Sequence, residues 1–159
     1  MPGLEDLYRE IILDHYRNPR NRGELPSPPA HRSEGFNPLC GDEVQVYLAV
    51  RDGVVEDIRI GGQGCSISQS SASMMSQAVK GRSVPEARAL VHAFKSMMSI
   101  EDGHDHDGHE DGEAAEPGVK MGDLEALQGV VKYPVRIKCA TLAWNTLAQG
   151  LDEADASTN

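Results

Sequence analysis

Aromatic residues make up only 4% of this 159-residue chain, with one tryptophan and two phenylalanines. The core must therefore rest on Leu, Ile, Val, Ala and Met, and a hydrophobic content of 39% is enough for one domain of ordinary size. Long apolar runs are also missing. The longest, Val46-Tyr47-Leu48-Ala49-Val50, falls far short of the ~20 residues needed to span a bilayer. Positive charge is scarce: 15 Lys and Arg against 25 Asp and Glu give a net charge of −10. Such a surface repels nucleic-acid phosphate and anionic lipid, so neither nucleic acid nor membrane is an expected partner. Cysteine is limited to Cys40, Cys65 and Cys139. An odd count argues against a disulfide framework, and the N-terminus turns acidic at Glu5 and Asp6, where a signal peptide needs an apolar stretch. A cytoplasmic, reducing compartment is expected, in which purposeful cysteines are metal ligands or nucleophiles.

The order of elements predicts an α+β domain over residues 1–150. Leu4, Leu7, Ile11 and Ile12 recur at helical spacing over residues 4–17, and Asn18-Pro19 ends that helix. Residues 24–33, with Pro26, Pro28 and Pro29, read as a loop or edge segment. Val44, Val46, Leu48 and Val50 alternate along a half-buried strand, Asp52-Gly53 signals a hairpin, and a second strand returns with Val54, Ile58 and Ile60 on one face. Gly61-Gly62-Gln63-Gly64 should break it. Helices are expected at 66–80, with Ile67, Ser71, Met74, Met75 and Ala78 inward, and from Pro85 to Met98. A short one should carry Leu124, Leu127 and Val130, and a last one, from Pro134 to about Gln149, should present Ile137, Leu142, Trp144 and Leu147. Residues 101–118, mostly Asp, Glu, His and Gly, read as a mobile loop, and residues 151–159 as a frayed acidic tail.

Three segments carry chemistry. In Asn37-Pro38-Leu39-Cys40-Gly41-Asp42 a thiol and a carboxylate bracket a glycine whose access to positive φ lets both side chains turn towards one ion. A plain turn with a half-buried cysteine fits that fragment too. Cys65 follows Gly61-Gly62-Gln63-Gly64 at a strand-to-helix junction, where a helix N-terminus favours thiolate. A phosphate loop is a poor alternative, since the Gly-Lys-Ser/Thr ending is missing. Cys139 lies early in the last helix, one turn after Arg136, whose cation also favours thiolate. A surface arginine beside a core cysteine fits those two residues equally well. Taken together, Cys40, Asp42, Cys65 and Cys139 supply four ligands, enough to close a tetrahedral zinc site. Such a site is reactive only if one ligand can leave, and Cys40, beside Gly41, is the best placed to do so. The tract His104-Asp105-His106-Asp107-Gly108-His109 reads either as a weak metal binder or as a solvated acidic loop, and packing or surface roles suit His15 and His31.

At these segments the chain resembles the IscU-like family of iron–sulfur cluster assembly proteins, and within it the SufU type. The similarity runs through Leu7 to Asn21 and through the three cysteine motifs at Asn37–Asp42, Gly62–Ser68 and Arg136–Trp144. Scaffold-type members place a histidine directly before the third cysteine, whereas Lys138 stands here. The segment between the second and third motifs is also longer, as in the SufU type. The resemblance implies a small antiparallel sheet of about three strands packed against helices. It implies zinc as the resting metal, with Cys40, Asp42, Cys65 and Cys139 as its ligands. It further implies a sulfurtransferase role in which a SufS-like cysteine desulfurase passes persulfide sulfur to Cys40, and a downstream iron–sulfur assembly scaffold receives it. Arg136 then helps to dock the partner or to orient Cys40. Two alternatives stay open: a scaffold for an iron–sulfur cluster on the same four groups, and a non-catalytic binding module held together by zinc.

Overall fold

A computed structural model of the chain describes residues 2–26, 30–38, 41–98, 124, 126–127, 129–130 and 134–157, with side chains undescribed at 2–8, 134–135 and 155–157. Helix α1 (Pro2–Arg17) leads to three strands, β1 (His31–Asn37), β2 (Asp42–Arg51) and β3 (Val54–Gln63), followed by helices α2 (Ser66–Val79), α3 (Val84–Met98) and α4 (Pro134–Ser157). The sheet is antiparallel in the order β1-β2-β3. Its inner face packs on α2 and α4, with α1 against α2 and α3 against α4. This is the expected α+β architecture.

The β2–β3 hairpin turns at Asp52 and Gly53, whose φ values of 54° and 76° suit the twist of the flanking strands. Val44, Val46 and Leu48 face inward as their alternation predicts. Val54 does not: it is 37% exposed while Val55 is fully buried. The register shifts at Ala49/Val50, so that Ala49 pairs with Asp57 and Val50 with Val55. The extra residue, Glu56, reverses which side of β3 faces the core. The glycines at 61 and 62 do not end the strand either, because they pair with Gln45 and Val44 and β3 runs on to Gln63. The strand β1 begins and ends later than the expected loop or edge segment of residues 24–33, since pairing with β2 organises Ser33, Glu34, Gly35 and Asn37 despite their poor strand propensity.

Helix α3 starts at Val84, one residue before the expected proline, because Ser83 caps it. Ser83 Oγ accepts the Glu86 N–H at 3.2 Å and Glu86 Oε1 accepts the Ser83 N–H at 3.0 Å. In the core, Phe94 of α3 stacks on Trp144 of α4 with ring centroids 4.5 Å apart. Met74, Met75, Leu124, Leu127 and Leu147 belong to the same core cluster, all buried. Ile11, Ile12, Ile67, Ala78, Ile137 and Leu142 pack against this core with partial burial; the Leu4 and Leu7 side chains lie outside those described. Serines line the interior of α2. Ser71 Oγ donates to the Ala140 carbonyl at 2.6 Å and accepts the Trp144 indole N–H at 3.1 Å, joining α2 to α4. His15, fully buried, contacts Ser73 Oγ through Nδ1 at 2.7 Å, which joins α1 to α2 and is a packing role.

The frayed tail expected from residue 151 is corrected by α4, which is helical to Ser157. Leu151 and Ala154 are buried, Asp152 pairs with Arg88 at 2.7 Å, and His31 bonds Glu153 at 2.6 Å. That last bond holds the Glu153 carboxyl below its ordinary value. An acidic composition masked an i, i+3 apolar pair at the end of the helix. The acidic and His-rich segment 101–118 lies outside the described residues. Among those described, no helix is long and apolar enough to cross a membrane. Leu151→Ala should destabilise the chain by about 2–5 kcal/mol, as expected for an emptied core position; urea unfolding measures it, and a frayed tail would give no change.

Candidate metal centre

Three elements bring one functional side chain each to the same point. Asp42 is the first residue of β2, Cys65 is the residue that caps the N-terminus of α2, and Cys139 lies in the second turn of α4. One carboxylate oxygen and the two sulfurs all lie within 4.8 Å of one another. Cys40, two residues before Asp42 in the chain, lies outside the described residues.

The local geometry explains the convergence. Gly41 has φ +74°, the left-handed conformation foreseen for it, and its N–H bonds the Asn37 carbonyl at 2.8 Å. Asn37 and Asp42 face each other as the last Cα pair of β1 and β2. Asp42 Oδ1 accepts the backbone N–H of Cys65 at 3.0 Å, so the carboxylate ties the start of α2 to the start of β2. The positive end of α2 thus faces the cluster. Gly64 makes room for this contact. A Cβ there would lie 2.5 Å from Asp42 Oδ1 and 2.7 Å from Ser68 Oγ.

Burial sharpens the chemistry. Asp42 and Cys139 have no solvent exposure, and Cys65 is half-buried. No lysine or arginine forms an ion pair with Asp42 among the described residues. A buried carboxylate needs compensating positive charge, and buried charges are paired or coordinate metals. Donor atoms around a tetrahedral zinc stand about 3.5–3.8 Å apart, given Zn–S and Zn–O bonds of about 2.0–2.3 Å. The observed cluster, within 4.8 Å, needs to contract by at most about 1.3 Å to reach that spacing, and its two sulfurs and one oxygen are donors zinc accepts. The residues fit the metal, with one position left for a fourth ligand.

Of the other residues singled out by sequence, Arg136 is exposed in the first turn of α4, one turn before Cys139, and Lys138 is exposed beside it. His104, His106 and His109 lie outside the described residues. Sequence reasoning missed Asn37 as a contributor. It stands inside a motif quoted above, but nothing in composition or spacing marks an amide as functional.

The chain matches the family described as the NifU-like N-terminal domain over residues 7–140. It is 42% identical to the zinc-dependent sulfurtransferase SufU of Bacillus subtilis, covering 93% of this chain and 91% of that protein. It is 38% identical to the iron–sulfur cluster assembly scaffold protein IscU of Streptococcus pyogenes, covering 93% and 84% respectively. Its fold is similar to the crystal structure of the N-terminal part of a nitrogen-fixing NifU-like protein from Brucella abortus, with a TM-score of 0.77, 27% identity and coverage of 96% and 97%.

Gly64→Ala should force the Asp42 carboxylate out of place, since strain of this kind costs about 1–3 kcal/mol. The expected result is a lower urea midpoint together with loss of bound metal on dialysis against a chelator, read by elemental analysis.

Proposed function

Because the chain belongs to the NifU-like N-terminal domain family, we propose that it is an iron–sulfur cluster assembly protein that accepts persulfide sulfur on Cys40 from a cysteine desulfurase, with Cys40, Asp42, Cys65 and Cys139 as zinc ligands. The observation that carries this reading is the meeting of Asp42, Cys65 and Cys139 within 4.8 Å at the ends of three separate elements. Zinc, when bound, keeps the cysteine sulfurs deprotonated at neutral pH.

The chain's own residues do the rest. Asp42, Cys65 and Cys139 are held by β2, the N-terminus of α2 and α4, and Cys40, beside the left-handed Gly41, is the ligand proposed to exchange when the donor docks. The Cys40 thiolate then attacks the outer sulfur of the donor's persulfide. A new S–S bond forms on Cys40, the donor's S–S bond breaks, and the donor cysteine leaves as thiolate while the proton stays on the transferred sulfur. This is ordinary thiolate–disulfide displacement. Arg136, exposed one turn before Cys139, offers a cation for docking the donor or orienting Cys40. The sulfur then passes to a downstream scaffold in the cytoplasm, where thiols stay reduced.

A second reading is supported by the 38% identity with an IscU scaffold protein: the same groups hold a nascent iron–sulfur cluster, since thiolates suit clusters as well as zinc. Metal content separates the two. Anaerobically purified protein should carry about one zinc per chain, as a closed four-ligand site does; iron with matching acid-labile sulfide would favour the scaffold. Cys40→Ser should abolish sulfur acceptance from a desulfurase while the fold survives by circular dichroism, and sulfane sulfur still gained at the parent rate would overturn the role given to Cys40. Asp42→Ala should weaken zinc retention in a chelator competition, and an unchanged affinity would remove Asp42 from the ligand set.

A further inference from the structure

We propose that Asn37 is a positioning residue that holds Asp42 and Cys139 as a preformed ligand pair through its side-chain amide. The inference rests on the metal site of the proposed function and adds a residue that touches the ligands rather than the metal. Asn37 is the last residue of β1 and only 6% exposed, with its side chain on the inner face of the sheet. Its Nδ2 lies 3.5 Å from Asp42 Oδ2 and 3.9 Å from Cys139 Sγ. An amide NH2 has two donors, and here a carboxylate oxygen and a cysteine sulfur from different elements stand within reach of it. The other oxygen of Asp42, Oδ1, is taken by the Cys65 N–H. The carboxylate is thus gripped at both oxygens, by the start of α2 and by the end of β1.

Both Nδ2 distances are long for hydrogen bonds and belong to a cluster that is itself wider than a closed metal site. Donors aimed at an anion strengthen as it gains charge. The backbone of the same residue contributes too: the Asn37 carbonyl accepts the Gly41 N–H at 2.8 Å and sets the direction in which the chain enters Asp42. An apolar side chain would fill the same space without either amide contact. Partners of this kind orient metal ligands, and their loss typically lowers affinity by about 10–100-fold.

The test uses the full chain and two variants, Asn37→Leu, which keeps the volume, and Asn37→Ala, which does not. Zinc affinity is measured by competition with a chromogenic chelator, cobalt(II) loading by its sulfur-to-metal charge-transfer band, and stability by urea unfolding of the metal-stripped protein. We expect zinc affinity to fall about 10–100-fold in both variants, with a weakened or displaced cobalt band, while the metal-stripped Leu variant unfolds at the parent's urea concentration. Parent-like zinc affinity in a folded variant would overturn the proposal. A drop in affinity that merely tracks lost stability would do so as well, and so would failure of both variants to fold, since Asn37 would then serve the fold alone. A parent chain that binds no zinc would remove the metal site of the proposed function, and this role with it.

Discussion

The fold is organised around a carboxylate that water cannot reach. Asp42 has no exposure, and two cysteine sulfurs lie within 4.8 Å of it or of each other. Leaving such a group ionised and uncompensated inside a protein costs several kcal/mol, on the order seen for broken buried ion pairs. The structure answers with donors rather than with lysine or arginine: the first N–H of the α2 junction on one oxygen and the Asn37 amide near the other. These supply partial positive charge, and a divalent metal on the proposed site would supply the remainder. The starts of β2 and α2 and the early turns of α4 are fixed relative to one another because each contributes a group to this one place.

Holding α2 and α4 in register relies on polar side chains in the interior that bond from one helix to the other. Five serines of α2 are buried, at 68, 70, 71, 73 and 76. Small side chains let the neighbouring elements approach closely, and the hydroxyls of Ser71, Ser73 and Ser76 bond across the interfaces. Ser71 bridges the Ala140 carbonyl and the Trp144 indole, and Ser73 takes the Arg20 N–H at 2.8 Å beside His15. Ser71 acts one residue from Cys139, so the Phe94–Trp144 stack in the core and the cysteine of the site share one support. Satisfied networks of this kind rigidify a site, whereas partly satisfied ones weaken it.

The described thiols differ in access, and that difference has a chemical consequence. Cys139 is sealed and sits near an amide donor, while Cys65 is half-buried at a helix N-terminus. Cys139 is thereby closed to a thiol on another protein, whereas Cys65 keeps partial access.

Much of this was legible in the residues themselves. The alternation of Val44, Val46 and Leu48, the Asp52-Gly53 turn, the left-handed Gly41 and the helical face carrying Trp144 and Leu147 are local properties, decided within a few residues of chain. The three cysteine motifs and Asp42 could be named from sequence because donor types and their neighbours are written there. What needed the tertiary structure was everything set by partners distant in the chain. The extra residue at Glu56 inverts the face of β3 only because β2 pairs across it, and residues 151–157 are helical because Arg88, His31 and the core receive them. Gly64 matters because Asp42, 22 positions earlier, fills the space a Cβ would take, and Asn37 meets Cys139 across 102 positions. Sequence by itself determined which donors this protein has. Only the packing of strand against helix decided which of them meet, because burial and distance are properties of neighbours in space and not in the chain.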